Sequence, residues 1–386
     1  MAGAITNARI LTPDEVIDPG TVLLDDAGLI GGVGRELQPP PAANMVDARG
    51  LTLVPGYIDL HVHGGGGYSL ATRDPDEIRT YARWVISHGV TSFLPTVFGA
   101  TVDEGLEFVR TAAQATGPVD GGARVLGVNL EGPFVNDRRR GALPKDWLRG
   151  EETALLKLLI EEARETLRIM TLAPEITDYR RLIETLTTAG VVASVGHTNV
   201  DYQIAQFAFA AGASHVTHLF NAMRPFHHRE PGVVGAAFDD GDATVEVIAD
   251  GVHLNPTVVT MLIKLFGPER IALVSDAVPP AGSPFGMFRL GEEEAEVFGD
   301  RVLLQDGTIA GSAETMDHCV RNIVWWQAAD LQNAVRMAST VPAGVLGLSK
   351  RKGRIAQGYD ADLVALDGDL DVVMTWVAGR AVYVRR

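Results

Sequence analysis

The chain has 386 residues, of which 46% are hydrophobic and 21% charged, and a formal net charge of −16. That length suits one large α/β domain with a smaller one beside it, and the composition is that of a water-soluble globular protein. The negative charge argues against nucleic acid or an anionic membrane as partners, so an anionic small molecule would have to be held by local cations. One cysteine, Cys319, excludes a disulfide framework and a cysteine-rich zinc site. The stretch Met1 to Asn7 lacks a basic start followed by an apolar core, and no apolar run is long enough to cross a bilayer. The cytoplasm is therefore the expected compartment.

Residues 1 to about 54 read as short strands, at 4–11, 21–25 and 29–33, separated by Gly, Pro and Asp turns. From Tyr57 the rhythm changes to short apolar strands alternating with amphipathic segments. Strands are predicted at 58–63, 90–96, 124–131, 167–173, 191–197, 214–218, 245–250 and 271–276. Helices are predicted at 76–88, 102–114, 152–164, 179–189, 202–211 and 256–266, then at about 315–329 and at 334–338. Eight strands mostly alternating with helices predict an α/β protein built on a parallel, TIM-like (β/α)8 barrel. A doubly wound open sheet would want a Gly-rich nucleotide turn after its first strand, and the glycines after His63 do not fit that pattern.

Residues 292–311 break the rhythm. The stretch 296–304, with Asp306-Gly307 as a turn, reads as a β-hairpin. The tail returns to strands, at 361–367, 372–377 and 380–384. Strands at both ends are expected to form one small β-sandwich domain from 1–54 plus 350–386. That leaves 55–349 for the barrel, with the hairpin inserted in it.

The polar residues gather at strand ends. His61 and His63, two apart on a strand, point to the same side. The glycines at 64–67 leave room for something to approach the backbone. Glu131 ends the third barrel strand, His197 the fifth, His218 the sixth and Asp276 the eighth. In a barrel all these C-terminal ends open onto one face. Four imidazoles and two carboxylates there make a nitrogen–oxygen site for Zn²⁺ or a similar divalent ion. Each residue has an ordinary alternative: His197 as a satisfied core histidine, Glu131 as a turn cap, Asp276 as a helix N-cap. Their common position at the same end of their strands favours the metal. His88, at a helix end, reads as a cap or surface residue, and His318 as structural. His215 lies too near the start of its strand to join the site. His227 and His228 sit in a loop beside Arg229, whereas His253, just past the seventh strand, falls on the active face.

Five motifs stand out: Pro55-Gly56-Tyr57-Ile58-Asp59-Leu60-His61-Val62-His63-Gly64, Asn129-Leu130-Glu131-Gly132-Pro133-Phe134, Thr171-Leu172-Ala173-Pro174-Glu175, Gly196-His197-Thr198 and Thr217-His218-Leu219-Phe220-Asn221-Ala222-Met223. Arg229-Glu230-Pro231-Gly232, Ile248-Ala249-Asp250-Gly251-Val252-His253 and Ser275-Asp276-Ala277 follow. Together, and nearly end to end, they resemble the N-acetylglucosamine-6-phosphate deacetylases of the amidohydrolase superfamily. The resemblance implies that Glu131, His197 and His218 bind the principal metal, with Asp276 as the catalytic acid/base. Retention of His61 and His63 makes a second metal plausible, with Glu131 in the bridging place. The ion is expected to be Zn²⁺, with Fe²⁺, Co²⁺ and Mn²⁺ also able to accept these ligands.

The resemblance also implies substrate contacts. Asn221, Ala222, Arg229 and His253 look like phosphate and sugar contacts, with Asp250 beside them, and Ala310, Gly311 and Ser312 like a substrate-lining turn. It implies a homodimer in which Arg229 and His253 reach the partner's site. The implied reaction is deacetylation of N-acetylglucosamine 6-phosphate to glucosamine 6-phosphate and acetate, with water activated at the metal and Asp276 moving the proton. Two departures stand out. In the run Arg140-Gly141-Ala142-Leu143, leucine occupies the slot of a family histidine that polarises the acetyl carbonyl. Glu314 precedes Thr315-Met316 where the family tends to have leucine. These keep open a different N-acyl sugar or a cyclic amide as substrate. A non-catalytic sugar-phosphate-binding protein is disfavoured by Asp276, because binding alone needs no proton shuttle.

Overall fold

Eight strands make the barrel: Tyr57–Val62, Val90–Val97, Val128–Glu131, Leu167–Leu172, Val192–Val195, His215–Val216, Thr244–Ile248 and Ile271–Val274. Each pairs in parallel with the next. The last is tied to the first where the Asp276 N–H donates to the His61 carbonyl at 2.9 Å. The structure, a computed structural model, describes residues 3–41, 43–150, 152–282, 287–290, 293–299 and 301–385. The barrel strands are buried almost throughout, which is why they read as apolar runs rather than alternating ones.

The helices start where the sequence offers caps. Asp74, Asp201 and Asn255 each accept a backbone N–H in the first turn of Pro75–Val85, Tyr202–Ala210 and Pro256–Phe266. Proline opens the first and third of these at a position where no N–H is needed. Two helices escaped the sequence reading. Gly232–Asp240 lies between the sixth and seventh strands, and its two glycines and missing side-chain cap hide it. Thr340–Val345 contains Pro342, which reads as a breaker. The third strand, expected as 124–131, is split into Arg124–Val125 and Val128–Glu131. At the break Gly127 has φ of 143°, and a Cβ there would lie 2.3 Å from the Thr166 carbonyl oxygen.

Strands from both chain ends share one hydrogen-bonded sheet. Its order is Arg380–Val384, Val372–Val377, Leu363–Leu366, Thr52–Pro55, Gly3–Leu11, Val16–Leu24 and Ile30–Gly34, with Asn44–Asp47 also beside Gly3–Leu11. The two ends meet where Leu363–Leu366 runs antiparallel to Thr52–Pro55. Ile5, Ile10, Leu53, Leu363 and Trp376 form the core of this sheet, while Val54, Val364 and Leu366 join the barrel core. Alternation along the strands thus gives one face to each.

The expected hairpin is larger than predicted. Met287–Leu290, Glu293–Phe298, Arg301–Leu304 and Ile309–Ser312 form a four-stranded antiparallel sheet. The stretch 296–304 is not one strand, because Gly299 turns the chain with φ of 63°. Residues 292 and 300 of that expectation lie outside the described residues. The turn at Asp306-Gly307 is present, with Asp306 Oδ1 accepting from the Thr308 N–H at 2.9 Å.

One contact ties helix packing to the site. Trp147 is fully buried, and its Nε1 donates to the Glu131 carbonyl at 2.8 Å. Gly105, in the helix Val102–Ala115, faces that indole; a Cβ there would lie 2.2 Å from a ring carbon. Alanine would gain about 1 kcal/mol of helix propensity, against about 1–3 kcal/mol for overpacking a core. A buried, hydrogen-bonded ring cannot yield, so Gly105→Ala is expected to lower stability in urea unfolding. An unchanged or raised midpoint would show that Trp147 moves aside.

Candidate metal centre and active site

The barrel's C-terminal mouth brings the six strand-end residues together. His197 Nε2 lies 2.8 Å from Glu131 Oε1, His218 Nε2 lies 3.2 Å from the same oxygen, and the two nitrogens are 3.0 Å apart. On the other side, His61 Nε2 and His63 Nε2 are 3.3 Å apart and stand 3.6 and 3.3 Å from Asp276 Oδ1. Glu131 lies between the two groups. Its Oε1 is 3.7 Å from His61 Nε2 and its Oε2 is 3.5 Å from His63 Nε2.

Local backbone geometry aims these side chains. His197, His218 and Asp276 have φ of 47°, 27° and 48°, a region that non-glycine residues seldom enter. Each sits just past the end of a barrel strand, where the chain turns outward. The backbone is held there: the Asn136 N–H donates to the His197 carbonyl at 2.9 Å, and the Asp276 N–H to that of His61. Of the glycines at 64–67, Gly65 and Gly66 serve packing. Cβ atoms at Gly65 and Gly66 would each lie 2.5 Å from the Trp84 ring, so what approaches this backbone is the chain's own indole.

Electrostatics show the tension in the cluster. Burial alone would raise the Glu131 carboxyl, but His197, His218 and His61 around it hold it well below the ordinary range. Burial would lower His61, yet Glu246 above all, with Glu131 and Asp276, pushes it up to about 10. Asp276 is likewise held low against its burial, chiefly by His63 and His61. The donor set fits a divalent cation. Two imidazole nitrogens 3.0 Å apart need a shared proton or a cation between them. Ligands on a tetrahedral ion at about 2.0–2.1 Å sit about 3.3 Å from one another. Separations in Glu131–His197–His218 are 2.8–3.2 Å and those in His61–His63–Asp276 are 3.3–3.6 Å, so the two groups bracket that spacing.

A cavity of 390 Å³ opens over these groups. Ala142, Leu143, Asn221, Ala222, His253, Ala310 and Gly311 line it. Gly311 has φ of 123°, and a Cβ there would meet Val278 at 2.5 Å. Asp250 and Ser312 stand behind the wall. Asp250 Oδ2 lies 2.6 Å from His253 Nδ1 and accepts from Ser312 Oγ at 3.0 Å. His253 was expected to serve the partner's site; instead its Nε2 is 3.7 Å from Asp276 Oδ2 of its own chain, because the Asp250 turn folds it inward. Arg229 does not reach this cavity; it is exposed, with its guanidinium 2.9 Å from His228 Nε2.

Five lining residues were missed: Phe98, just beyond the second strand, Gly141 next to Ala142, and Gly307, Thr308 and Ile309 at the turn of the inserted sheet. The strand-end rule would have found Phe98. Glu246 was missed too, though a lone carboxylate within Thr-Val-Glu-Val-Ile is itself a signal. His215 stays out of the cavity, pairing with Glu246 at 3.2 Å. His88 is hydrogen-bonded to Asp317 at 3.1 Å, and His318 pairs with Glu314.

Comparison with known proteins adds independent support. A model of the amidohydrolase family matches residues 52–382. N-acetylglucosamine-6-phosphate deacetylase of Bacillus subtilis (strain 168) is 35% identical, over 99% of this chain and 97% of its own. N-acetylgalactosamine-6-phosphate deacetylase of Escherichia coli O157:H7 is 36% identical, over 98% and 99%. Among solved structures, a variant N-acetyl-D-glucosamine-6-phosphate deacetylase from Mycobacterium smegmatis in complex with N-acetyl-D-glucosamine-6-phosphate superposes with a TM-score of 0.91. It is 34% identical, over 99% of both chains. Family model, relatives and barrel agree: this chain belongs to the amidohydrolase family, in its N-acetylglucosamine-6-phosphate deacetylase group.

Proposed function

We propose that this protein hydrolyses the acetamide of N-acetylglucosamine 6-phosphate, releasing acetate and glucosamine 6-phosphate. The observation that carries the reading is the pair of facing donor groups with Asp276 on the cavity wall. Glu131, His197 and His218 would hold one divalent cation and His61 and His63 a second, with Zn²⁺ the expected ion. A bound divalent cation supplies a water of lowered pKa and an electrophile for the carbonyl oxygen.

The chain's own residues do the rest. Asp276 has Oδ1 3.3 Å from His63 Nε2 and Oδ2 3.7 Å from His253 Nε2. It stands where a carboxylate takes a proton from water and returns it to the departing amine, which is otherwise a very poor leaving group. His253, raised above its usual pKa by Asp250 although burial opposes this, offers a hydrogen bond to a substrate oxygen. Asn221 and Ala222 face the sugar phosphate. Leu143 gives the acyl carbonyl no donor, and the relative acting on N-acetylgalactosamine 6-phosphate keeps the C4 epimer as a second candidate substrate.

The cavity lining contains no lysine or arginine among the described residues, although the substrate is a dianion. Arg229, exposed on its loop, supplies that charge to a partner's cavity in a cytoplasmic homodimer. A guanidinium fork suits phosphate.

Asp276→Asn is expected to lower kcat by about 10²–10⁴-fold with metal content unchanged; near-normal turnover would remove Asp276 from the proton path. Arg229→Ala is expected to raise KM for the 6-phosphate substrate about 10- to 100-fold, from the loss of a charged hydrogen bond of about 1.5–3 kcal/mol. Mixing Arg229→Ala with Asp276→Asn subunits is expected to restore part of the activity, as one intact site then forms per mixed dimer; no restoration would place Arg229 in its own chain's site. Acetate release from both 6-phosphate epimers and from unphosphorylated sugar ranks the substrates. Faster release from a non-phosphorylated amide would overturn the assignment.

A further inference from the structure

We infer that Glu246, fully buried beneath the site, is the positioning residue that makes His61 a metal ligand and ties the two donor groups together. It lies within the seventh barrel strand, Thr244–Ile248, and makes no contact with the cavity. Its Oε2 lies 3.0 Å from His61 Nδ1 and accepts from the backbone N–H of His218, also at 3.0 Å. Its Oε1 lies 3.2 Å from His215 Nε2, and His215 Nδ1 lies 2.6 Å from Thr244 Oγ1. One oxygen thus holds a residue from each group.

The proton inventory follows from chemistry. A carboxylate only accepts, so His61 must carry its proton on Nδ1. With a divalent ion bound, Nε2 is the nitrogen that would face it, beside His63 and Asp276. His215 likewise donates from Nε2, and Thr244 satisfies its Nδ1. Every polar atom of this network finds a partner with Glu246 ionised.

The four histidines are not supported alike. His63 Nδ1 lies 3.1 Å from the Thr96 carbonyl, and His197 Nδ1 lies 2.9 Å from that of Arg139. Among the described residues, only His61 of the four has its Nδ1 held by a charged group. His218 Nδ1 has no hydrogen-bond partner among the described residues, so its placement rests on its backbone, which Glu246 holds. Charge balance points the same way. Glu131 and Asp276 together neutralise one divalent ion, and a second would leave two uncompensated positive charges in a buried site. Glu246 halves that excess and makes His61 a stronger donor.

The inference rests on the two-ion reading above. It is tested by titrating metal-free protein with Zn²⁺, following heat and bound metal, in wild type and Glu246→Gln. Glutamine can still accept from His61 and His218 and donate to His215, so the fold is kept while the charge is lost. Wild type is expected to take two ions. In Glu246→Gln one ion is expected to keep its affinity and the other to weaken about 10- to 100-fold, with the melting temperature of the metal-free protein unchanged. Unchanged affinity for both ions overturns the inference. So does a parallel loss of both with a lower melting temperature, which would mark a merely structural residue. A wild type that takes one ion overturns the two-ion reading instead. The inference is then decided by nitrogen-15 NMR of the ring tautomers in wild type, assigned with His61→Asn, which also serves if the glutamine variant does not fold. Once one ring proton has been removed, by a bound ion or at high pH, His61 is expected as the Nδ1–H form, and the Nε2–H form overturns the inference.

Discussion

Glu131 places one buried carboxylate within 3.7 Å of four imidazole nitrogens, and the architecture around it is what makes that arrangement tolerable. An ionised carboxylate out of water is costly unless hydrogen bonds or opposite charge surround it. Here the compensation arrives from three other barrel strands, the first, fifth and sixth, rather than from neighbours in sequence. Only a closed sheet with every strand pointing the same way can deliver so many side chains to one oxygen pair. Trp147, donating to the Glu131 carbonyl, fixes the backbone from behind.

The same demand explains the unusual backbone of the mouth. Three of the converging residues, His197, His218 and Asp276, occupy the left-handed region, where each non-glycine residue costs about 1–3 kcal/mol. The barrel absorbs that strain because each turn is anchored on both sides. A hydroxyl cluster of Thr171, Ser194 and Thr217, with oxygens 2.6 and 2.8 Å apart, packs just below. Rigidity beneath and strain above are a means of holding polar groups where relaxed turns would not put them.

Much of this was legible in the sequence because barrels obey a simple rule: a polar residue at the end of an apolar strand faces the site. That rule found His61, His63, Glu131, His197, His218 and Asp276, and it fails for groups that lie deeper. Glu246 sits mid-strand and works through other side chains, so position alone gives no hint of its contacts. Asp59, pushed up to about 7 by burial and hydrogen-bonded to Ser275 at 2.5 Å, is hidden in the same way. The helix Gly232–Asp240 was obscured by its glycines, whose low propensity is overridden by packing against Tyr202–Ala210. The cavity wall from the inserted sheet depends on a fold-back that no local pattern encodes.

During synthesis the strand Thr52–Pro55 emerges early, and one of its edges waits for Leu363–Leu366 until the whole barrel has been translated. Leu53 and Val54 lie on that waiting edge, next to the segment that starts the barrel. An open apolar edge on a nascent chain invites pairing with a neighbouring polypeptide. The final strands are therefore a seal as much as a support: chains cut short before residue 363 would leave the ribosome with a sticky margin, and ragged carboxyl ends would show up first as aggregates rather than as lost catalysis.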